Sequence, residues 1–319
     1  MAIFPLPVKA GTKVLDLPGV EDFILHMRVE HAFVPAELRA FFASLEVSER
    51  VIELMDEPVA PNRKVYWRDY KSRLLKPRKV VAGARFYRRH IDVLKRAEES
   101  YGVPAQIITA ILGIETNYGN YLGDFSIARS LATLAFAYPR RAREFQEELA
   151  YFLIYARQSK FDPAVLRGSY AGAFGLPQFL PSSAKRFAVD FDGDGRANLF
   201  AVVDAVGSIG NFLNIHGWQK GDPIAYSVST RGDMRPLIEA TRNNDYKPLF
   251  SWEELREAGL SASSQTPAAG KYLLVDLENR YDTEYRIGTQ NFYALTRYNK
   301  SFKYASAIFD MSQLILDNV

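Results

Sequence analysis

From residue 91 to residue 160 the chain repeats apolar side chains at helical spacing and contains only two prolines, Pro104 and Pro139. That commits the middle of the chain to packed helices, because apolar residues at i, i+3, i+4 and i+7 put one face into a core. The same spacing recurs earlier, in Val20, Phe23, Ile24 and Met27 and again in Leu38, Phe41, Phe42 and Leu45. Pro35, Pro58 and Pro61 punctuate those runs. Residues 199–216 and 291–316 also read as helix. Between about 221 and 289 the texture changes. Short β-type runs at 224–230, 271–276 and 283–287 are separated by turn residues and one charged, helix-like piece at 252–258. No internal repeat is present. The expectation is a mainly α (α+β) protein with helix-rich ends around a small β insertion. At 319 residues there is room for two or three domains.

Composition removes several classes of function. There is no cysteine, which excludes disulfides, thiol nucleophiles, CxxC redox chemistry and Cys-ligated zinc. Apolar stretches such as 131–138 fall far short of the ~18 residues that span a bilayer. A net charge of +3 is too mild to mark nucleic-acid binding by itself. The first residues, MAIFPLPVKAG, lack the basic start and apolar core of a signal peptide. The four histidines (His26, His31, His90, His216) show no metal-ligand spacing, and there is no GxSxG elbow, P-loop or dinucleotide fingerprint. His216 reads as a helix-end or packing residue.

Residues 63–90 are the most biased stretch. Eleven basic residues face one acid, Asp69, with Tyr66, Trp67, Tyr70, Phe86 and Tyr87 interleaved. This pattern fits a groove for an acidic polymer. It fits equally a solvated basic helical face whose aromatics lie in the core.

Three segments carry chemistry. The first is 103–119, VPAQIITAILGIETNYG. Pro104 suits a first helical turn, and Ile107, Ile108, Ile111 and Leu112 form an apolar stripe. Glu115 follows Ile111 by four and Leu112 by three, so it shares their face, and Gly119 can end the helix in a left-handed conformation. A carboxylate at the C-terminal end of a helix, beside an apolar wall, is doubly disfavoured as an anion. Such a group stays protonated near neutral pH and can act as a general acid. The plain alternative is an edge-of-core Glu reaching solvent or an Arg.

The second segment is 167–183, RGSYAGAFGLPQFLPSS. Gly168, Gly172 and Gly175 permit close backbone approach, and Ser169 and Gln178 offer hydrogen-bonding groups. It reads as the wall of a cleft or as a structural turn. The third is Asp190-x-Asp192-x-Asp194-Gly195, which matches the first half of an EF-hand loop. Arg196, at position 7, offers its backbone carbonyl. Position 12 is Ala201 rather than Glu, and the next acid is Asp204, at position 15. The loop is thus lengthened and closed by Asp204, degenerate, or an ion-free turn. A single loop argues for a structural Ca2+ and not a sensor. Near the C-terminus, NFYALTRYN at 291–299 puts Tyr293 and Arg297 on one face and Tyr298 beside them, a set suited to sugar stacking or to an ordinary core.

In this order, GIETNYG, Pro139-Arg140-Arg141, GSYAGAFG-x-x-QF-x-PSS, the long Asp loop running into Asp204-Ala-Val-Gly-Ser, His216-Gly-Trp and NFYALTRYN resemble the B-type lytic murein transglycosylases. The resemblance spans about residues 20–316. It implies a lysozyme-like core with a helical lobe and a small β lobe. The boundaries are 1–85 for the helical lobe (completed by 290–319), 86–220 for the catalytic core with its EF-hand-like loop, and 221–289 for the β-rich lobe.

The resemblance also implies cleavage of the MurNAc-β-1,4-GlcNAc bond of peptidoglycan. Glu115 would be the single acid and base, with Arg141, Ser169, Gln178, Tyr118, Tyr293 and Tyr298 on substrate. Ca2+ would lie in a loop of Asp190, Asp192, Asp194, Arg196 and Asp204, with no organic cofactor. The implied partners are glycan strands and other cell-wall enzymes, not nucleic acid. The implied state is a monomer in the periplasm. An export or lipoprotein segment would lie outside this chain, and outer-membrane anchoring is compatible with that. The family pattern reads GAMGYGQFMPSS where this chain has Phe174, Leu176, Pro177 and Leu180. Pro177 removes a backbone donor just before Gln178 and restricts Leu176.

Ordinary glycosidases use two carboxylates. Here only Glu115 sits in a site-like context; Asp124 and Asp162 sit in turns. One carboxyl suffices if the sugar's own C6 hydroxyl closes a 1,6-anhydro ring. The rival readings are a hydrolytic muramidase with the same acid, a non-catalytic wall-binding protein with a Ca2+-stabilised fold, and a nucleic-acid binder using 63–90.

Overall fold

A computed structural model describes residues 11–57, 64–263 and 267–319. The N-terminal decapeptide, Pro58, Pro61 and Arg63 lie outside the described residues. The chain divides into two compact units. One holds the described residues of Met1–Arg63 with Gly119–Ser208, and the other holds Lys64–Tyr118 with Ile209–Val319. The division runs through the 86–220 segment: 86–118 falls in the second unit and 119–208 in the first.

In the first unit the early helices are Val20–His31, Pro35–Ser44 and Glu49–Asp56. Phe23 and Phe42, both buried, meet Phe136 edge to face at centroid distances of 5.6 and 6.1 Å. The helix Ile127–Ala137 is apolar on nearly every side and is almost wholly buried, lying along Ala142–Gln158. Ser126 caps it by accepting the Arg129 amide. One buried charge in this unit, Glu148, accepts both the amide (2.8 Å) and the hydroxyl (2.6 Å) of Ser182. Those bonds replace the water it has lost.

The second unit contains the helices Trp67–Leu74, Pro77–Arg89, Ile91–Tyr101 and Ala105–Thr116, with Gln290–Tyr298 and Phe302–Leu316 from the far end of the chain. Phe302–Leu316 packs on Pro77–Arg89 and Ala105–Thr116. A four-stranded antiparallel sheet runs in the order 260–262, 225–230, 283–288, 273–278. Its buried face holds Val228, Leu260, Leu274 and Ile287, with Ile238 and Leu255 from two short helices. The protein is therefore mainly α with a small β portion, as the periodicity predicts.

Three local readings need correction. Residues 291–316 are not one helix, because Ser301 caps a new helix by accepting the Tyr304 amide. The β region holds a second helix, Arg235–Asn243, and a short strand, Leu260–Ala262. The strand is too short for periodicity to separate from a turn, and the helix lies in a polar stretch where only Ile238 and Thr241 are buried.

The basic stretch resolves mainly as structure. Trp67, Phe86 and Tyr87 are buried. Arg68 pairs with Asp282 (2.7 Å), Lys71 with Asp310 (2.6 Å), and Lys64 with Glu278. Trp67, Phe86 and Tyr87 belong to the core, Tyr66 and Tyr70 are half-buried, and three of its cations are neutralised by acids from residues 278–310.

Candidate active site

The helix Ala105–Thr116 starts after Pro104 and is buried on almost all sides. Its two threonines return their hydroxyls to the carbonyls four residues back, Thr109 to Ala105 (2.8 Å) and Thr116 to Leu112 (3.2 Å). No hydroxyl is stranded in the apolar surroundings. The helix ends earlier than expected. Asn117 takes the first left-handed position (φ +50°), followed by Tyr118 (φ +61°) and Gly119 (φ +85°). The amides of Asn117 and Tyr118 donate to Gly113 (3.1 Å) and Leu112 (3.0 Å). Asn tolerates the left-handed region better than most side chains, which is why the turn begins there and not at the glycine. Glu115 is thus the penultimate helical residue, at the negative end of the helix dipole.

Glu115 is partly buried beside the fully buried Ile111 and Leu112. Burial pushes its carboxyl up to about 7, against the opposing pulls of the Tyr304 hydroxyl and the Lys79 charge. Tyr304 is buried and donates its hydroxyl to Glu115 Oε1. Tyr298 stacks on Tyr304, with ring centroids 6.3 Å apart and planes 13° apart. Burial and the Glu115 charge both push the Tyr298 and Tyr304 hydroxyls well up, so both stay protonated donors. Burial, and then the charge of Lys76, lowers Lys79, while Glu115 pulls it back up. Among the described residues, the groups recorded as acting on Glu115 are the Tyr304 hydroxyl and the Lys79 charge, neither a carboxylate, and the Glu115 charge in turn raises Tyr70, Tyr298 and Tyr304.

The sequence reading places Lys79 and Tyr70 in the basic stretch but does not connect them, or Tyr304, with Glu115. The Ser301 cap foretells where Tyr304's helix begins, but nothing local foretells that its hydroxyl meets a carboxylate 189 positions away. Tyr118 is built into the same surroundings. Its hydroxyl donates to the Lys79 carbonyl (3.0 Å), and its ring stacks on Phe86 at 5.5 Å. The ring also needs two glycines. A Cβ at Gly113 would come within 2.5 Å of the Tyr118 hydroxyl oxygen, and one at Gly83 would collide with the same atom. With that hydroxyl committed to backbone, Tyr118 positions the end of the Glu115 helix, and its ring is what it has left for a ligand.

On Gln290–Tyr298, Arg297 lies 4.6 Å over the Tyr293 ring, as the i, i+4 spacing predicts. Its guanidinium donates to the Asp245 carboxylate at 2.8 Å. His216 is a packing residue, with Nδ1 2.7 Å from the Phe212 carbonyl oxygen and its ring on Phe212.

Ser169, Gln178 and Arg141 lie in the first unit. Ser169 closes a tight loop: its hydroxyl accepts the Ala173 amide (3.0 Å) and its own amide donates to the Ala173 carbonyl (2.8 Å). Gln178 stands at φ +51° and donates its side-chain amide to Leu122 and Gly175, both at 3.0 Å. Pro177 fits because Phe174 and Phe179 bond each other across the turn while Leu176 donates to Leu199, so no amide is needed at 177. Arg141 is exposed, pairs with Glu144 (2.8 Å) and lies 4.9 Å over Phe145.

The aspartate loop lies in the same unit. Asp190, Asp192 and Asp204 bring one carboxylate oxygen each within 4.8 Å of the others. Asp204 is buried and accepts the amides of Phe191 (2.8 Å) and Asn198 (2.7 Å). Burial still raises its pKa. Three hard oxygen donors close together, whose negative charges repel one another, suit a divalent cation such as Ca2+. The carboxylate of Asp194 is not part of that cluster. Its Oδ1 accepts the Arg196 amide (2.9 Å), which folds the following turn. For Arg196 the structure records that amide alone at the loop.

The family described as the Transglycosylase SLT domain matches residues 18–313. In sequence, the chain is 38% identical over 317 residues to the membrane-bound lytic murein transglycosylase B of Escherichia coli (strain K12), covering 97% of this chain and 85% of that protein. In structure, it is similar to the Escherichia coli lytic transglycosylase Slt35 in complex with bulgecin A, at 36% identity and a TM-score of 0.87 over 99% of both chains. It is similar also to Slt35 in complex with calcium, at 35% identity and a TM-score of 0.87 over 99% of both chains. The mainly α, lysozyme-like fold expected from the sequence is the fold shared with these proteins. The chain belongs to the Transglycosylase SLT domain family.

Proposed function

We propose that this protein is a lytic murein transglycosylase that cleaves the MurNAc-β-1,4-GlcNAc bond and leaves 1,6-anhydroMurNAc ends. The observation that carries the reading is Glu115. Its carboxyl, held near 7 by burial, bonds a tyrosine hydroxyl and has no second carboxylate acting on it among the described residues. A group titrating there can both deliver and take a proton. Protonated Glu115 donates to the glycosidic oxygen while the muramic N-acetyl group stabilises charge developing at C1. The resulting carboxylate, stabilised by Tyr304, takes the proton from the C6 hydroxyl, which attacks C1 and closes the ring. No water is consumed. The C6 hydroxyl is covalently attached, so its effective concentration outweighs that of loosely held water.

Ser169, Gln178, Arg141, Tyr293 and Tyr298 are proposed to hold the glycan, with Tyr118 offering its ring. A Ca2+ ion bound by Asp190, Asp192, Asp204 and the Arg196 carbonyl would be structural, neutralising carboxylates that otherwise repel, with Asp194 folding the turn beside it. The lobes are proposed as 1–85 with 290–319, 86–220 and 221–289. Residence in the periplasm, anchoring at the outer membrane, a monomeric state and association with other cell-wall enzymes complete the reading.

Product mass tests it. Digested sacculi should yield muropeptides ending in 1,6-anhydromuramic acid, one water lighter than reducing-end counterparts. Dominant reducing ends carrying oxygen label from heavy-oxygen water would make the protein a hydrolytic muramidase instead.

A further inference from the structure

The first unit carries a cavity of about 580 Å³ lined by the helices Val20–His31 and Ala142–Gln158, with Lys185 at its edge. A second cavity of about 270 Å³ shares Tyr151 and Lys185 with the first and reaches Arg196 on the aspartate loop. The shared residues make the two one elongated groove, within the size range of ligand sites.

Its charges are arranged along its length. Arg143 and Glu147 in the first cavity pair with each other at 3.8 Å. Three further charges remain: Asp22 lines the first cavity, Lys185 lines both, and Arg196 lines the second. The Lys185 ammonium is held 4.2 Å over the Tyr151 ring. None of the three has an ion-pair partner among the described residues, although opposite charges line the same cavity. His26 and His31, rings edge to face at 5.9 Å, add two imidazoles to the wall beside Asp22. A neutral sugar would leave these charges unanswered. A ligand with an ammonium towards Asp22 and carboxylates towards Lys185 and Arg196 answers each of them.

We propose that this groove binds a short peptide bearing one ammonium and at least two carboxylates, the chemistry of the peptide stem of a murein strand. The identity of the ligand rests on the murein reading above; the charge pattern does not. The site would grip the wall at a peptide, separately from the glycan at Glu115.

The test uses the full chain silenced by Glu115→Gln. It is titrated by NMR with the synthetic N-acetylated tripeptide L-Ala-γ-D-Glu-meso-diaminopimelate, which carries one ammonium and three carboxylates, and, in parallel, with a peptide-free GlcNAc oligomer. The tripeptide should bind saturably and move the resonances of His26, His31 and Tyr151. Lys185→Glu and Asp22→Lys should each weaken it about tenfold or more, with melting temperatures unchanged. Both should leave the GlcNAc titration as it was. Absence of saturable tripeptide binding, indifference to both charge reversals, or movement of these resonances by the GlcNAc oligomer overturns the proposal. Sacculus cleavage by the unmodified chain is measured separately. If it fails while charge-dependent tripeptide binding persists, the enzymatic reading falls and the groove stands.

Discussion

Two carboxylates of this chain, Glu115 and Asp190, meet opposite treatment. Asp190 is exposed and accepts three backbone amides, from Gly193 (2.8 Å), Asp194 (3.1 Å) and Gly195 (2.7 Å). Desolvation pushes its pKa up, but those amides outweigh it and hold the carboxyl below its usual range. Glu115 sits at the C-terminal end of a helix, where backbone carbonyls and not amides are exposed. It receives one tyrosine hydroxyl, and burial drives it up to about 7. A carboxylate ringed by amides is poised to meet a cation, whereas one deprived of them is poised to move a proton.

Glu115→Gln breaks the comparison most severely. The amide is nearly isosteric yet cannot donate or take up the proton, so cleavage of sacculi should fall by at least the ~10²–10⁴-fold of a lost general acid–base. Turbidity loss within a few-fold of the unmodified chain would overturn the role given to Glu115. Because the folded state holds this proton more tightly than the unfolded chain does, Glu115 withdraws stability as pH rises from about 4.5 to about 7. The variant should therefore melt at a higher temperature than the parent at pH 8.

Asp204→Ala tests the other side. Millimolar Ca2+ should stabilise the parent by about 2.7 kcal/mol at a hundredfold excess over Kd and so raise its melting temperature. The substitution should remove most of that increment, while cleavage under folded conditions continues. Equal melting of the parent in EDTA and in Ca2+ would separate this loop from ion binding altogether.

The smallest effect sharpens the comparison. Tyr304 holds the Glu115 carboxyl down against burial, so Tyr304→Phe should move its titration above 7. With Glu115 as the proposed acid, cleavage needs it protonated in the first step and should decline in the parent as pH passes about 7. In the variant that decline should begin at higher pH, with a lower maximal rate because the carboxylate loses its donor for the second step. An unchanged alkaline limb in the pH–rate profile would show that another group sets it.

Much of this was legible in the order of residues alone. The helical texture of 91–160, the β runs between 221 and 289, the stripe carrying Glu115 and the alternating aspartates each follow from periods and spacings a few residues long. Local physics has that range: a helix turn, a strand pleat, an ion-binding turn. The Glu115 stripe shows that its carboxyl meets an apolar wall, and hence the direction in which its pKa moves.

What the sequence by itself determined was therefore the element types, the carboxylate facing an apolar wall and the run of alternating aspartates. The tertiary structure alone decided which side chains act on the acid. Tyr304 reaches Glu115 because Phe302–Leu316 packs on Ala105–Thr116, Tyr298 stacks on Tyr304 from the preceding helix, and no spacing encodes these contacts. Packing likewise placed Tyr118 against Gly83 and Gly113, left Asp194 outside the carboxylate cluster, and gave the cations of 64–71 acidic partners more than two hundred residues away. A side chain's neighbours in sequence constrain its conformation. Its charge state and its use depend on desolvation and on groups that only the folded chain brings within a few ångströms.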